Sequence, residues 1–155
     1  MMPDTPTPAP LDRDLRVEIY QHFARTTQAP SVDTLAKQLN VTTNEIEQGL
    51  TRLSALHAIA LKPDSFDIWM AHPFSSVVTD VPVETSRGRY WANCVWDAFG
   101  IPVVLELRDT STPTRCAGTG EPVELGLQDG RPRLTEGLIH FVVCPNDFWN
   151  DIGFT

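Results

Sequence analysis

A chain of 155 residues has room for one sizeable domain or two small ones, and a formal net charge of −8 is the wrong sign for broad binding to nucleic acid or an anionic membrane. No apolar run approaches ~18 residues, so no segment reads as membrane-spanning. Met1 to Pro10 is rich in Pro and Thr and lacks the basic-then-apolar order of a signal peptide, so residues 1–10 read as a disordered leader on a cytoplasmic protein. Cys94, Cys116 and Cys144 are an odd set without a CxxC pair, expected as reduced thiols.

Leu11 to Thr27 is the first helix expected, with Leu15, Ile19, His22 and Phe23 on one face. Pro30 and Ser31 break that pattern, and Ser31 caps a short second helix whose inner face is Leu35, Ala36 and Leu39. Thr42 or Thr43 caps a third helix running through Leu56, with Ile46, Leu50 and Leu53 inward. Ala58 to Leu61 and Phe66 to Met70, joined by Pro63-Asp64-Ser65, read as a small hairpin. Three helices and a hairpin make a winged-helix-like unit over residues 11–71. A DNA reader would turn its third helix toward phosphates, yet here Glu45 and Glu47 stand against a single Arg52. The unit therefore reads as a scaffold or lid, with no nucleic-acid partner.

His72-Pro73-Phe74-Ser75 looks like a linker, placing a boundary at residue 72, and Ser76 to Val83 is β-rich. Gly88 to Pro102 reads as one short apolar helix, stopped by Gly100 and Pro102 and buried on several sides. Val103–Leu107, Thr112–Cys116, Val123–Leu127 and Leu138–Val143 are strand-like, with turns at Gly118-Thr119-Gly120 and Gln128-Asp129-Gly130. Pro145 to Asp151 suggests a last short helix. The fold class implied is α+β. The helical unit is followed, over residues 72–155, by a small, mainly antiparallel sheet with a Cys-bearing helix packed on it.

Cys94 and Asp97 are the residues with chemistry in them. Three-residue spacing puts them one turn apart on the same helical face. An acid does not help a thiol ionise, because like charges raise each other's pKa. The pair instead suits a soft-metal ligand beside a proton donor: sulfur binds soft metals, and metal capture releases the thiol proton. Cys116, beside a turn, reads as a structural thiol, and Cys144, ahead of Pro145, as a buried strand residue. His22 and His57 read as surface or packing residues, and His72 and His140 lack ligand spacing. No P-loop, GxGxxG or GxSxG motif is present.

Tyr90-Trp91-Ala92-Asn93-Cys94-Val95-Trp96-Asp97-Ala98-Phe99-Gly100-Ile101-Pro102 resembles the alkylmercury (organomercurial) lyase family. Cys116-Ala117-Gly118-Thr119-Gly120-Glu121-Pro122-Val123 and the tail Phe148 to Thr155 carry the same resemblance. It implies that Cys94 and Asp97 bind mercury, that Asp97 protonates the carbon–mercury bond, and that Cys116 is mainly structural. It implies a substrate that is a small organomercurial, no resident cofactor, and Hg(II) held as product until an external thiol or a mercury-accepting protein removes it. It also places a second catalytic cysteine immediately after Gly153-Phe154-Thr155, so the 72–155 unit is expected to be incomplete at its C-terminus. A non-catalytic thiol-based heavy-metal binder and a winged-helix regulator stay open as alternatives.

Overall fold

The computed structural model describes residues 6–134 and 136–154. The first half of the expected leader therefore lies outside the described residues, and Pro10 already opens the first helix. That helix, α1 (Pro10–Thr26), starts with proline at its first position, where a missing N–H costs nothing. The Asp12 carboxylate accepts the Ala9 N–H at 2.8 Å and so caps the same end. Leu15, Ile19 and Phe23 recur every four residues and are fully buried.

Helix α2 (Val32–Leu39) is capped by Ser31, whose hydroxyl accepts the Thr34 N–H at 3.2 Å. Helix α3 (Thr43–Ala55) opens on a reciprocal box. Thr42 Oγ1 accepts the Glu45 N–H at 3.3 Å, and the Glu45 carboxylate accepts the Thr42 N–H at 2.9 Å. Glu45 is thus a capping residue, and those bonds hold its carboxyl below the usual range. Gly49 lies where α1 crosses α3. A Cβ there would sit 2.6 Å from a methyl of the buried Leu15.

Strands β1 (Ala60–Leu61) and β2 (Ile68–Ala71) form the hairpin read from the sequence. They continue into one five-stranded antiparallel sheet with β3 (Phe74–Ser75), β4 (Pro82–Thr85) and β5 (Gly88–Ala92), in the order β1-β2-β3-β5-β4. His72-Pro73 is therefore no linker: it joins β2 to the central strand, and Phe74 and Ser75 are buried. One hydrophobic core runs from Leu15, Ile19 and Phe23 through Phe74 and Tyr90 to Ala98 and Ile101. Phe23 and Phe74 stack at 5.2 Å, and the Tyr90 hydroxyl donates to the Ala24 carbonyl at 2.9 Å.

The single helix expected over Gly88–Pro102 is corrected to a strand and a helix. Glu84 pairs with Arg89 and Val83 with Tyr90 across a tight turn, and Tyr90 and Ala92 point inward while Arg89 and Trp91 do not. That is a period of two, and the ladder takes the backbone hydrogen bonds a helix would need. Helix α4 begins only at Val95 and runs past the expected stop to Val104. Gly100 does not end it. A Cβ at Gly100 would meet Pro73 at 3.0 Å, so the glycine lets the helix lie against the β2–β3 connection. Pro102 sits within the last turn, and the Ile101 carbonyl still accepts the Leu105 N–H at 3.0 Å. Val103 and Val104 are consequently helical and exposed, not part of a strand.

Beyond α4, β6 (Thr112–Arg115) pairs with β7 (Pro122–Leu125), and β8 (Leu127–Gln128) with β9 (Arg131–Pro132). Leu138–Val143 is not a strand: Leu138 is 98% and Val142 79% exposed, and no described strand pairs with the segment. A 3-10 helix, Pro145–Asn150, stands where the last short helix was expected. The mixed helix and antiparallel-sheet class holds. Among the described residues no helix is long and apolar enough to cross a membrane.

Candidate functional site

Cys94 ends up at the mouth of α4 and not on its face. Its backbone is extended (φ −148°, ψ 177°), making it the N-cap, with Asp97 in the first turn. Cys94 holds the N-cap position but makes no side-chain capping hydrogen bond there. Burial is the main influence on this thiol and pushes its pKa up. The Asp97 carboxylate pushes the same way, while the N–H groups of Asp97 and Trp96 at the helix start pull against them.

Asp97 does not stand alone. Its Oδ2 accepts the Asn93 Nδ2–H at 3.0 Å and lies 3.3 Å from His72 Nδ1. Asn93 Nδ2 and His72 Nδ1 are themselves 3.3 Å apart. The Asp97 side chain is 14% exposed and His72 35%. His72 is held from outside the cluster as well: the Tyr20 hydroxyl of α1 donates to its carbonyl at 2.7 Å. On the other side the Trp149 ring meets the His72 ring edge-on at 6.0 Å. Trp149 also stacks flat on the exposed His57 at 4.3 Å, in keeping with the surface or packing role expected of that residue. Trp96, 60% exposed, meets Phe141 edge-on at 6.2 Å. Aromatic residues of 141–149 thus reach both Trp96 in that turn and His72 beside Asp97.

Sequence reading missed His72 and Asn93. His72 is 25 residues from Asp97, in a segment whose sequence looks like a linker. The one usable signal for Asn93 was its place four residues before Asp97. His140 is exposed and takes no part, and the Nδ1 of His22 is buried in α1.

The other two thiols lie elsewhere in the fold. Cys116 follows β6 and opens the turn to β7, half-buried among exposed neighbours. The Thr119 hydroxyl, then the N–H groups of Thr119 and Gly118, hold its thiol below the usual range. Cys144 is exposed and caps the 3-10 helix, correcting the buried strand residue expected there. A strand ladder that would bury it does not form. Among the described residues no three His, Cys, Asp or Glu side chains gather as a metal-ion cluster.

The structure superposes on a solved one, the mercury-bound form of MerB2, with a TM-score of 0.67 and 21% sequence identity. The alignment covers 83% of this chain and 61% of that one, so this chain spans about three fifths of that structure's length. At that identity the match speaks to the fold. No curated protein sequence matches. The family model of MerB, alkylmercury lyase, matches residues 74–154, which carries Cys94, Asp97, Asn93 and the Cys116 turn. The chain belongs to the alkylmercury lyase family.

Proposed function

We propose that the chain cleaves carbon–mercury bonds by protonolysis, with Cys94 capturing mercury and Asp97 delivering the proton. The observation that carries this reading is the thiol at the N-cap of α4 with a largely buried carboxyl in the same turn. Because burial keeps Cys94 protonated at neutral pH, mercury capture displaces a proton beside Asp97. The carboxylate takes it up. The carbon–mercury bond then breaks with its electron pair on carbon, which receives that proton from Asp97 and leaves as hydrocarbon. The thiol proton ends on carbon, and mercury stays on sulfur as Hg(II). An external thiol or a mercury-accepting protein removes it. Cys116, outside this turn, serves the hairpin structurally.

The 11–71 unit, winged-helix-like in its three helices and hairpin, acts as scaffold. Its Arg52 is engaged by Asp12 instead of standing free for phosphate, which argues against the regulator reading. A cytoplasmic location suits thiols that must stay reduced.

The test is single-turnover and steady-state cleavage of methylmercury and phenylmercury with excess thiol, following hydrocarbon release and Hg(II) transfer. Wild type should release both. Cys94→Ser should lose capture and cleavage, because a hydroxyl is a hard, poor mercury ligand. Asp97→Asn should still bind the organomercurial but lose ~10²–10⁴-fold in turnover, the usual value of a positioned acid. Stoichiometric capture by wild type with no hydrocarbon would replace this reading with the metal-binder one.

A further inference from the structure

The environment of Asp97 is lopsided. Both neighbouring nitrogens converge on one oxygen: Asn93 Nδ2 at 3.0 Å and His72 Nδ1 at 3.3 Å from Oδ2. A carboxylic acid has an accepting oxygen and a donating one. The Asn93 N–H makes Oδ2 an acceptor, and His72 in its Nδ1-protonated tautomer adds a second donor to the same oxygen, which places the acid proton on the other. We propose that His72 and Asn93 are positioning residues that make Oδ1 of Asp97 the proton-bearing oxygen and hold it toward the carbon of a mercury-bound substrate. This inference rests on the protonolysis reading and adds the direction from which the proton arrives.

The supporting contacts come from separate elements. Asn93 reaches Asp97 from the residue between β5 and Cys94. His72 comes from the β2–β3 connection, and with its ring proton on Nδ1 it donates to the same oxygen. Its backbone is fixed by Tyr20 and its ring by the Trp149 edge. The acid is thereby held by two side chains from separate elements, and holding a reacting group in one orientation lowers the barrier. A carboxyl free to rotate would present its proton to the carbon for only part of the time. Misorientation of a reacting group commonly costs ~10²-fold.

His72→Phe removes the donor and keeps a ring for Trp149 to meet. His72→Asn restores an amide N–H close to where Nδ1 stood. With ¹³C-labelled aspartate, the Asp97 carboxyl resonance is identified by its absence in Asp97→Asn. It should shift in His72→Phe and return toward the wild-type position in His72→Asn. In parallel, hydrocarbon release should fall about 10–100-fold in His72→Phe, with Hg(II) affinity unchanged, and His72→Asn should recover most of that loss. An unmoved resonance in His72→Phe, or a shift that His72→Asn does not reverse, overturns the proposal. If Asp97→Asn abolishes cleavage while His72→Phe cleaves at full rate, positioning is wrong and protonolysis stands. If wild type cleaves nothing, protonolysis is wrong, and the resonance alone decides the positioning. Should His72→Phe not fold, Asn93→Ala removes the other donor and is judged by the same resonance.

Discussion

Arg52 grips Asp12 with two nitrogens, Nη2 on Oδ1 at 2.7 Å and Nε on Oδ2 at 2.9 Å, and so ties α3 to the first turn of α1. The same carboxylate caps α1 through the Ala9 N–H. Asp12 is 3% exposed, and its hydrogen bond from Arg52 is the main reason its carboxyl sits below the usual range. A depressed carboxyl contributes stability above its unfolded value of ~3.9, and that contribution is lost as pH falls through the lower folded value. The stability gap between wild type and Asp12→Asn, measured by thermal or urea melts, should therefore be full at pH 6 and close progressively below pH ~4. At neutral pH the variant should lose about 1–3 kcal/mol, the range for a hydrogen bond to a charged group. A gap that stays constant down to pH 2 would remove the ion pair from the account.

Gly49→Ala poses a direct contest between helix propensity and packing. Alanine is favoured in a helix interior by ~1 kcal/mol. Against that, its Cβ would sit 2.6 Å from a Leu15 methyl and 3.4 Å from Asp12 Oδ1, and Leu15 is fully buried. Overpacking of this kind costs ~1–3 kcal/mol. Packing should win, leaving a net loss of about 1 kcal/mol in denaturant melts. A stabilised variant would mean that α1 and α3 lie further apart than described.

The three thiols should react in a set order. Cys116 is half-buried with donors that favour its thiolate, Cys144 is exposed, and Cys94 is held protonated by burial. Alkylation followed by peptide mass spectrometry near pH 7.5 should find Cys116 modified first and Cys94 last. Cys94 labelling ahead of the other two would contradict the burial that the capture step relies on. Cys116→Ala should cost less than about 1 kcal/mol, since its neighbours are exposed.

Trp149 fastens the segment 145–150 to the body of the protein through His57 and His72. Aromatic pairs are worth ~0.5–1.5 kcal/mol beyond their buried area. Trp149→Ala should therefore raise amide hydrogen exchange across 145–154 while leaving α1–α3 protected as in wild type. Unchanged exchange in 145–154 would show that other contacts hold the segment.

Much of the helical half was legible in the sequence because its determinants are local. Ser31 and Thr42 cap helices through bonds to residues three positions on, and Leu15, Ile19 and Phe23 mark a face by their spacing alone. The nearness of Cys94 and Asp97 is local in the same way, since three residues at a helix start cannot be far apart. What required the tertiary structure was every feature settled by a distant partner. Gly88–Ala92 could have been helix by its apolar content, but pairing with Pro82–Thr85 and burial of Tyr90 under α1 made it strand, and that moved Cys94 from a helical face to the mouth of α4. Leu138–Val143 has strand composition and found no ladder among the described strands. Gly49 and Gly100, breakers by propensity, stand where another chain segment comes too close for a Cβ. The donors on Asp97 belong to the same class: sequence spacing constrains side chains within about a turn, whereas His72 meets Asp97 only because the β2–β3 connection packs against α4.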